Sequence, residues 1–188
     1  KKLFSEFAEK EVKPIAGEIE EEERCPRVTV EKMEACKMLG IPFPREYGGA
    51  GADYLSYILA VEELSKVCGT TGVILSAHTS LGTSPIAAFG TEEQKQKYLP
   101  DLCTGRKLGA FGLTEPNAGT DAAGQQTTAV KDGEDYIING SKIFITNAGE
   151  ADIYVIFAMT DKSQGTRGIS AFILEKGMPG FTIGKHEK

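Results

Sequence analysis

The chain has 188 residues, 40% hydrophobic and 26% charged, with a net charge of −6, the profile of a globular protein long enough to bury a core without a covalent or metal staple. The acidic balance, with no basic stripe, excludes a nucleic-acid binder, and the lack of a run of about 18 apolar residues argues against a membrane span. Cys25, Cys36, Cys68 and Cys103 form no C-x-x-C pair and His78 and His186 lie far apart, so no metal site is expected and free thiols in a reducing cytoplasm are the simplest account.

The first half reads as helices. Leu3, Phe4, Phe7, Ala8, Val12 and Ile15 recur at helical spacing, with Pro14 late in that helix or bending it. Thr29 is a candidate N-cap for a helix running to Gly40. The stretch from Ile41 to Ala52 carries prolines and glycines and reads as a loop. Asp53 can cap the next helix, to about Val67, whose apolar stripe is Leu55, Ile58, Leu59, Val61 and Leu64. Val73 to Leu81 suits a buried helix. Thr91, followed by Glu92 and Glu93, starts another, since a hydroxyl cap and two carboxylates complement the helix dipole.

The pattern changes near Leu108, where β-branched and aromatic residues alternate with polar ones. Strands are expected at Leu108 to Leu113, Gln125 to Lys131, Asp135 to Ile138, Ser141 to Ile145, Ile153 to Met159, Ile169 to Leu174 and Phe181 to Ile183. Asp132-Gly133 and Asn139-Gly140 read as hairpin turns, because these residue types tolerate positive φ. The fold class is therefore α+β and multidomain. An all-α helical domain spans 1–106 and a β-barrel or sandwich domain spans 107–188.

Three loops are candidates for chemistry. Gly48 to Ala52 contains a G-x-G, but it follows a Pro-rich loop and has Tyr54 where a dinucleotide fingerprint needs glycine, so it reads as a connector. The segment Phe111 to Gly124, FGLTEPNAGTDAAG, follows a strand and offers hydroxyls, backbone N–H groups and a glycine for close approach, which suits either a ligand-binding loop or a long capped β-connection. In SKIFITNAG, from Ser141 to Gly149, Phe144 and Thr146 share one face of the expected strand. That face suits either an apolar wall with one hydrogen bond or an ordinary core Phe beside a turn Thr.

LTEPNAGTDAAGQQT followed by YIINGSKIFITNAG resembles the acyl-CoA dehydrogenase family in order and separation. FAEKEVKPIA, FPREYGGAGADYLSYILAVEELSK and FGTEEQKQKYLP extend the resemblance over essentially the whole chain. Asn117, Thr120, the GQQT continuation and Phe144 in place of a frequent Trp are similar to bacterial short-chain, butyryl-CoA, members.

The resemblance implies FAD as cofactor. Phe111, Leu113, Thr114, Gly119 and Thr120 would flank the flavin, with Thr114 on its pyrimidine edge and Thr120 also touching the pantetheine arm of the substrate. Phe144, Ile145 and Thr146 would cover the other side, with the Thr146 hydroxyl near the hydride-accepting nitrogen. It implies oxidation of an acyl-CoA to a trans-2-enoyl-CoA. It implies no catalytic residue here: the base would be a Glu in a C-terminal helical bundle beyond Lys188, absent from this chain, whose ends look cut, and Glu115 matches a structural position. It further implies an electron-transfer flavoprotein partner and a homotetramer. The alternatives are a stand-alone binding protein with the same two domains, or a flavin oxidase or monooxygenase of the same superfamily.

Overall fold

The computed structural model describes residues 1–186. Its first helix continues well past Pro14: α1 (Lys2–Phe7) passes into a π-helical turn (Ala8–Val12), a 3₁₀ turn (Lys13–Ile15) and α2 (Ala16–Glu21). A proline ring clashes with the carbonyl four residues before it, and a wide turn moves that carbonyl aside. The same device recurs further on. There α5 (Gly69–Ser76), a π-helical segment (Ala77–Thr83) and α6 (Ser84–Phe89) form one continuous helical run. Its wide segment also ends two residues before a proline, Pro85.

Two expected caps hold. Asp53 accepts a 2.7 Å bond from Ser56 N–H at the head of α4 (Tyr54–Ser65), and Thr91 forms a capping box with Gln94 at the head of α7 (Glu92–Thr104). Thr29 is not a cap. It lies fully buried inside α3 (Arg27–Ala35), whose cap position is Pro26. That helix stops at Cys36, before Lys37 turns left-handed. The 41–52 loop is a packed connector in which Ala50 and Ala52 N–H bond back to Gly40 and Ile41 carbonyls. The stripe expected on α4 is also corrected. Leu64 faces the core as expected, but Leu55 is 65% and Ile58 54% exposed, and Tyr57 and Ala60 face the core in their place. All four cysteines are free.

The β part is one five-stranded mixed sheet. Its strands are β1 (Gly109–Gly112), β2 (Thr128–Asp132), β3 (Asp135–Asn139), β4 (Ile153–Met159) and β5 (Ile169–Glu175). The strand order is β1-β4-β2-β3, with β5 antiparallel on β4. β1 runs parallel to β4, and β2 meets β4 at a single parallel point, Thr128 opposite Met159. β4 is buried almost throughout because successive residues enter different cores. Ile153 and Val155 pack with Tyr98, Leu99 and Leu102 of α7. Tyr154 and Ile156 pack with Tyr57, Leu64 and Leu75 of α4 and α5.

Two expected strands and one turn are absent. Residues 141–145 form no ladder: Phe144 and Asn147 have φ of 55° and 67°, and the main-chain link to the neighbouring segment is one bond, Ile143 N–H to Thr114 O, 2.9 Å. With no strand there, Asn139-Gly140 closes no hairpin. Residues 181–183 are irregular. Phe181 N–H turns back to Met178 O and its ring packs edge-on against Tyr154, centroids 4.7 Å apart. The β2–β3 hairpin does form, with its reversal at Gly133-Glu134, one residue later than read, between paired Asp132 and Asp135.

Candidate active-site cleft

The site is assembled where the helical run crosses β1. Gly82 lies so close to Gly109 that a Cβ on it would sit 2.7 Å from Gly109 Cα. In the widened segment, Thr83 and Ser84 hydroxyls donate to the His78 and Thr79 carbonyls, both at 2.9 Å, catching oxygens that the wide turn frees. His78 is completely buried. Gly109 N–H donates to its Nδ1 at 3.0 Å, and its Nε2 faces Leu102 O at 3.0 Å. This pairing assigns the neutral tautomer with hydrogen on Nε2, and burial pushes the imidazole pKa down to about 4. Asn147 Nδ2 completes the joint by donating to Gly109 O and Ile74 O at 3.3 and 3.4 Å.

Beyond β1, Glu115 and Ala118 exchange main-chain bonds around a Pro116-Asn117 turn. Glu115 is 5% exposed and accepts from Lys142 Nζ at 2.8 Å and from the N–H groups of Gln126 and Thr127 at 2.5 and 2.9 Å. Burial alone would raise its pKa, but Lys142 and these bonds outweigh that and hold the carboxyl at about 2. Lys142 also donates to Leu113 O and Gln125 Oε1, both at 3.0 Å.

Between these supports lies a cleft of about 190 Å³ lined by Ala77, Leu81, Phe111, Leu113, Thr114, Phe144, Ile145 and Thr146. Six of the residues singled out from sequence meet here, from two segments about 30 positions apart. Gly119 and Thr120 do not line it and are exposed. Ala77 and Leu81 were not anticipated. Four residues apart, they share one face of the helical run, but nothing in the sequence says which half of the molecule that face meets. Lys142 was also missed, since it lay in the expected strand. Phe144 holds a left-handed φ and is 70% exposed at the cleft, an unfavourable placement for a bulky aromatic.

The lining suits a flat ring with a polar edge. Aromatic and aliphatic side chains supply apolar walls. The N–H groups of Leu113, Thr114, Ile145 and Thr146 and the hydroxyls of Thr114 and Thr146 make no hydrogen bond to another described residue. Among the described residues no carboxylate lines the cleft and no cluster could hold a metal ion. No helix there is long and apolar enough to cross a membrane.

Comparison with known proteins fits this architecture. Residues 1–106 match the model of the acyl-CoA dehydrogenase N-terminal domain, and residues 110–188 that of the acyl-CoA dehydrogenase middle domain. The chain belongs to the acyl-CoA dehydrogenase family. It is 68% identical, over 188 residues, to a short-chain specific acyl-CoA dehydrogenase of Clostridium acetobutylicum, covering 100% of this chain and 50% of that protein. The structure of butyryl-CoA dehydrogenase from Megasphaera elsdenii superposes with a TM-score of 0.95 at 53% identity, covering 100% of this chain and 50% of that one. An acyl-CoA dehydrogenase complexed with FAD from Bacillus anthracis superposes with a TM-score of 0.90 at 39% identity, covering 100% and 32%. The chain thus spans about half the length of the curated relative, or less in the last case.

Proposed function

We propose that this chain supplies the flavin-facing part of an FAD-dependent dehydrogenase that oxidises a short-chain acyl-CoA, butyryl-CoA, to the trans-2-enoyl-CoA. The observation that carries the reading is the convergence of Thr114 and Thr146, each preceded by an apolar residue that also lines it, on one cleft. The named substrate of the Megasphaera relative, the short-chain name of the Clostridium one and the FAD complex of the Bacillus one support it.

Bound FAD supplies a hydride acceptor. Phe111, Leu113 and Thr114 would hold one side of it, with Thr114 toward the polar edge. Phe144, Ile145 and Thr146 would cover the other and exclude water, and the Thr146 hydroxyl would bond the hydride-accepting nitrogen. Gly119 and Thr120, outside the cleft, meet the ligands only where these extend beyond it, Thr120 on the pantetheine arm. Glu115 does not take the α-proton. A carboxyl held at about 2 and saturated by Lys142 and two N–H groups is a poor base. With Glu115 set aside and no carboxylate among the described residues lining the cleft, the base would be a carboxylate from outside them. An electron-transfer flavoprotein as acceptor, a homotetramer and a cytoplasmic setting belong to the same reading.

The test is an anaerobic absorbance spectrum of the full-length protein before and after butyryl-CoA. A flavin band that bleaches on addition is the expected result, and a band left unchanged overturns the substrate assignment. Negligible oxygen consumption during turnover separates the dehydrogenase from an oxidase.

A further inference from the structure

Lys142 does more than neutralise a buried acid. Its side chain is 10% exposed, and its three acceptors, Leu113 O, Glu115 Oε1 and Gln125 Oε1, match the three donors of an ammonium group. Buried ion pairs are weak stabilisers, since an apolar pair of similar volume often serves as well. The third partner is the informative one. Leu113 O belongs to the peptide unit that ends in Thr114 N–H. That unit is trans, as are all those described, so a C=O held on Lys142 directs the N–H away from it. Thr114 lines the cleft and its N–H has no acceptor among the described residues. The next carbonyl, Thr114 O, is held by Ile143 N–H at 2.9 Å. The peptides on both sides of Thr114 are thus fixed by the adjacent pair Lys142-Ile143 from the opposite wall. The stem of Lys142 passes over β1 at Gly112, where a Cβ would lie 3.3 Å from Lys142 Cγ.

From this geometry we infer that Lys142 is a positioning residue for the reaction: it orients and polarises the Leu113–Thr114 peptide so that the cleft binds the reduced cofactor more tightly than the oxidised one. A charge-assisted bond to a carbonyl strengthens the N–H at the other end of the same peptide. A donor fixed in advance favours whichever bound form carries more negative charge opposite it. Flavin gains electron density on reduction, so the benefit is differential. The inference rests on the flavin reading proposed above.

The experiment compares full-length wild-type protein with Lys142→Met, Lys142→Arg and the double variant Glu115→Gln/Lys142→Met. FAD affinity is read by fluorescence titration and the midpoint potential by dye-coupled reductive titration. Both methionine variants should lower the ratio of reduced to oxidised affinity about tenfold, a shift of about 30 mV to more negative potential for a two-electron couple. Arg, which keeps a cation there, should recover most of it. The double variant matters because it leaves no unpaired buried charge if Lys142→Met alone misfolds. A folded double variant with wild-type midpoint potential overturns the inference alone. Misfolding of both methionine variants assigns Lys142 to folding and overturns it too. A wild-type protein without any flavin band overturns this inference and the parent reading together.

Discussion

His78 links the stability of the protein to pH through one buried ring. Its native pKa is about 4 against an ordinary 6.5, because sealing the ring from water outweighs the Leu102 carbonyl on Nε2, which by itself would raise it. Between those two values the unfolded chain binds a proton that the folded chain refuses, so stability is complete above about pH 6.5 and falls as pH drops toward 4. The full span amounts to about 3 kcal/mol. Glu115, also depressed, adds a loss of the same sign at lower pH, as it falls from 4.5 toward 2. Denaturant unfolding of the protein at pH 7 and pH 5 should show the decline, and His78→Gln should flatten it while lowering stability at pH 7. A pH-independent wild-type midpoint over this range would contradict the burial. At the cleft, Thr146 offers a hydroxyl with no hydrogen-bond partner among the described residues. In the full-length protein Thr146→Ala should slow flavin reduction by butyryl-CoA more than it weakens substrate binding, because the bond is strongest where charge develops. Stopped-flow reduction rates set against substrate titrations decide this, and equal effects on both would remove Thr146 from that role.

Elements matter here chiefly through one close crossing. The widened helical turn rests on β1 through Gly82 and Gly109, backbone against backbone. A methyl at Gly82 would meet main chain that cannot rotate away, so Gly82→Ala should lift the helical run from the sheet. The expected cost is about 1–3 kcal/mol in denaturant unfolding, with weaker FAD binding as Ala77 and Leu81 shift. An unperturbed Gly82→Ala protein would show that the crossing is loose. The features that were legible in the sequence are those decided locally. Asp53 and Thr91 cap their helices because a short acceptor side chain three residues before a free N–H suffices, wherever the helix then packs. The face of α4 was not legible: counting apolar residues chose Leu55 and Ile58, whereas the core takes Tyr57 and Ala60 and even buries Glu63, paired with Lys66 and Lys1. Residues 141–145 have strand-forming side chains, but the tether of Lys142 to Glu115 and Leu113 overrides that propensity.

At the scale of the whole molecule, the cleft is a meeting of distant parts, and that is why only part of it could be read. Phe111 to Thr114 and Phe144 to Thr146 each carry a local motif. The contribution of Ala77 and Leu81 depends on how the helical half sits against β1, which no local pattern encodes. The same view bears on what residues 1–188 can do by themselves. One wall of the cleft is made of side chains that water reaches, most of all Phe144, and among the described residues no carboxylate lines the cleft. Water at an open site screens the donors on Thr114 and Thr146 and competes for them. The isolated 188-residue chain should therefore bind FAD weakly and show no butyryl-CoA dehydrogenation with an artificial electron acceptor. Flavin fluorescence titration and a dye-reduction assay on the chain alone, beside the full-length protein, measure both. Turnover by the isolated chain would mean that a base exists within these residues, and the assignment of proton removal to a carboxylate outside them would have to be withdrawn.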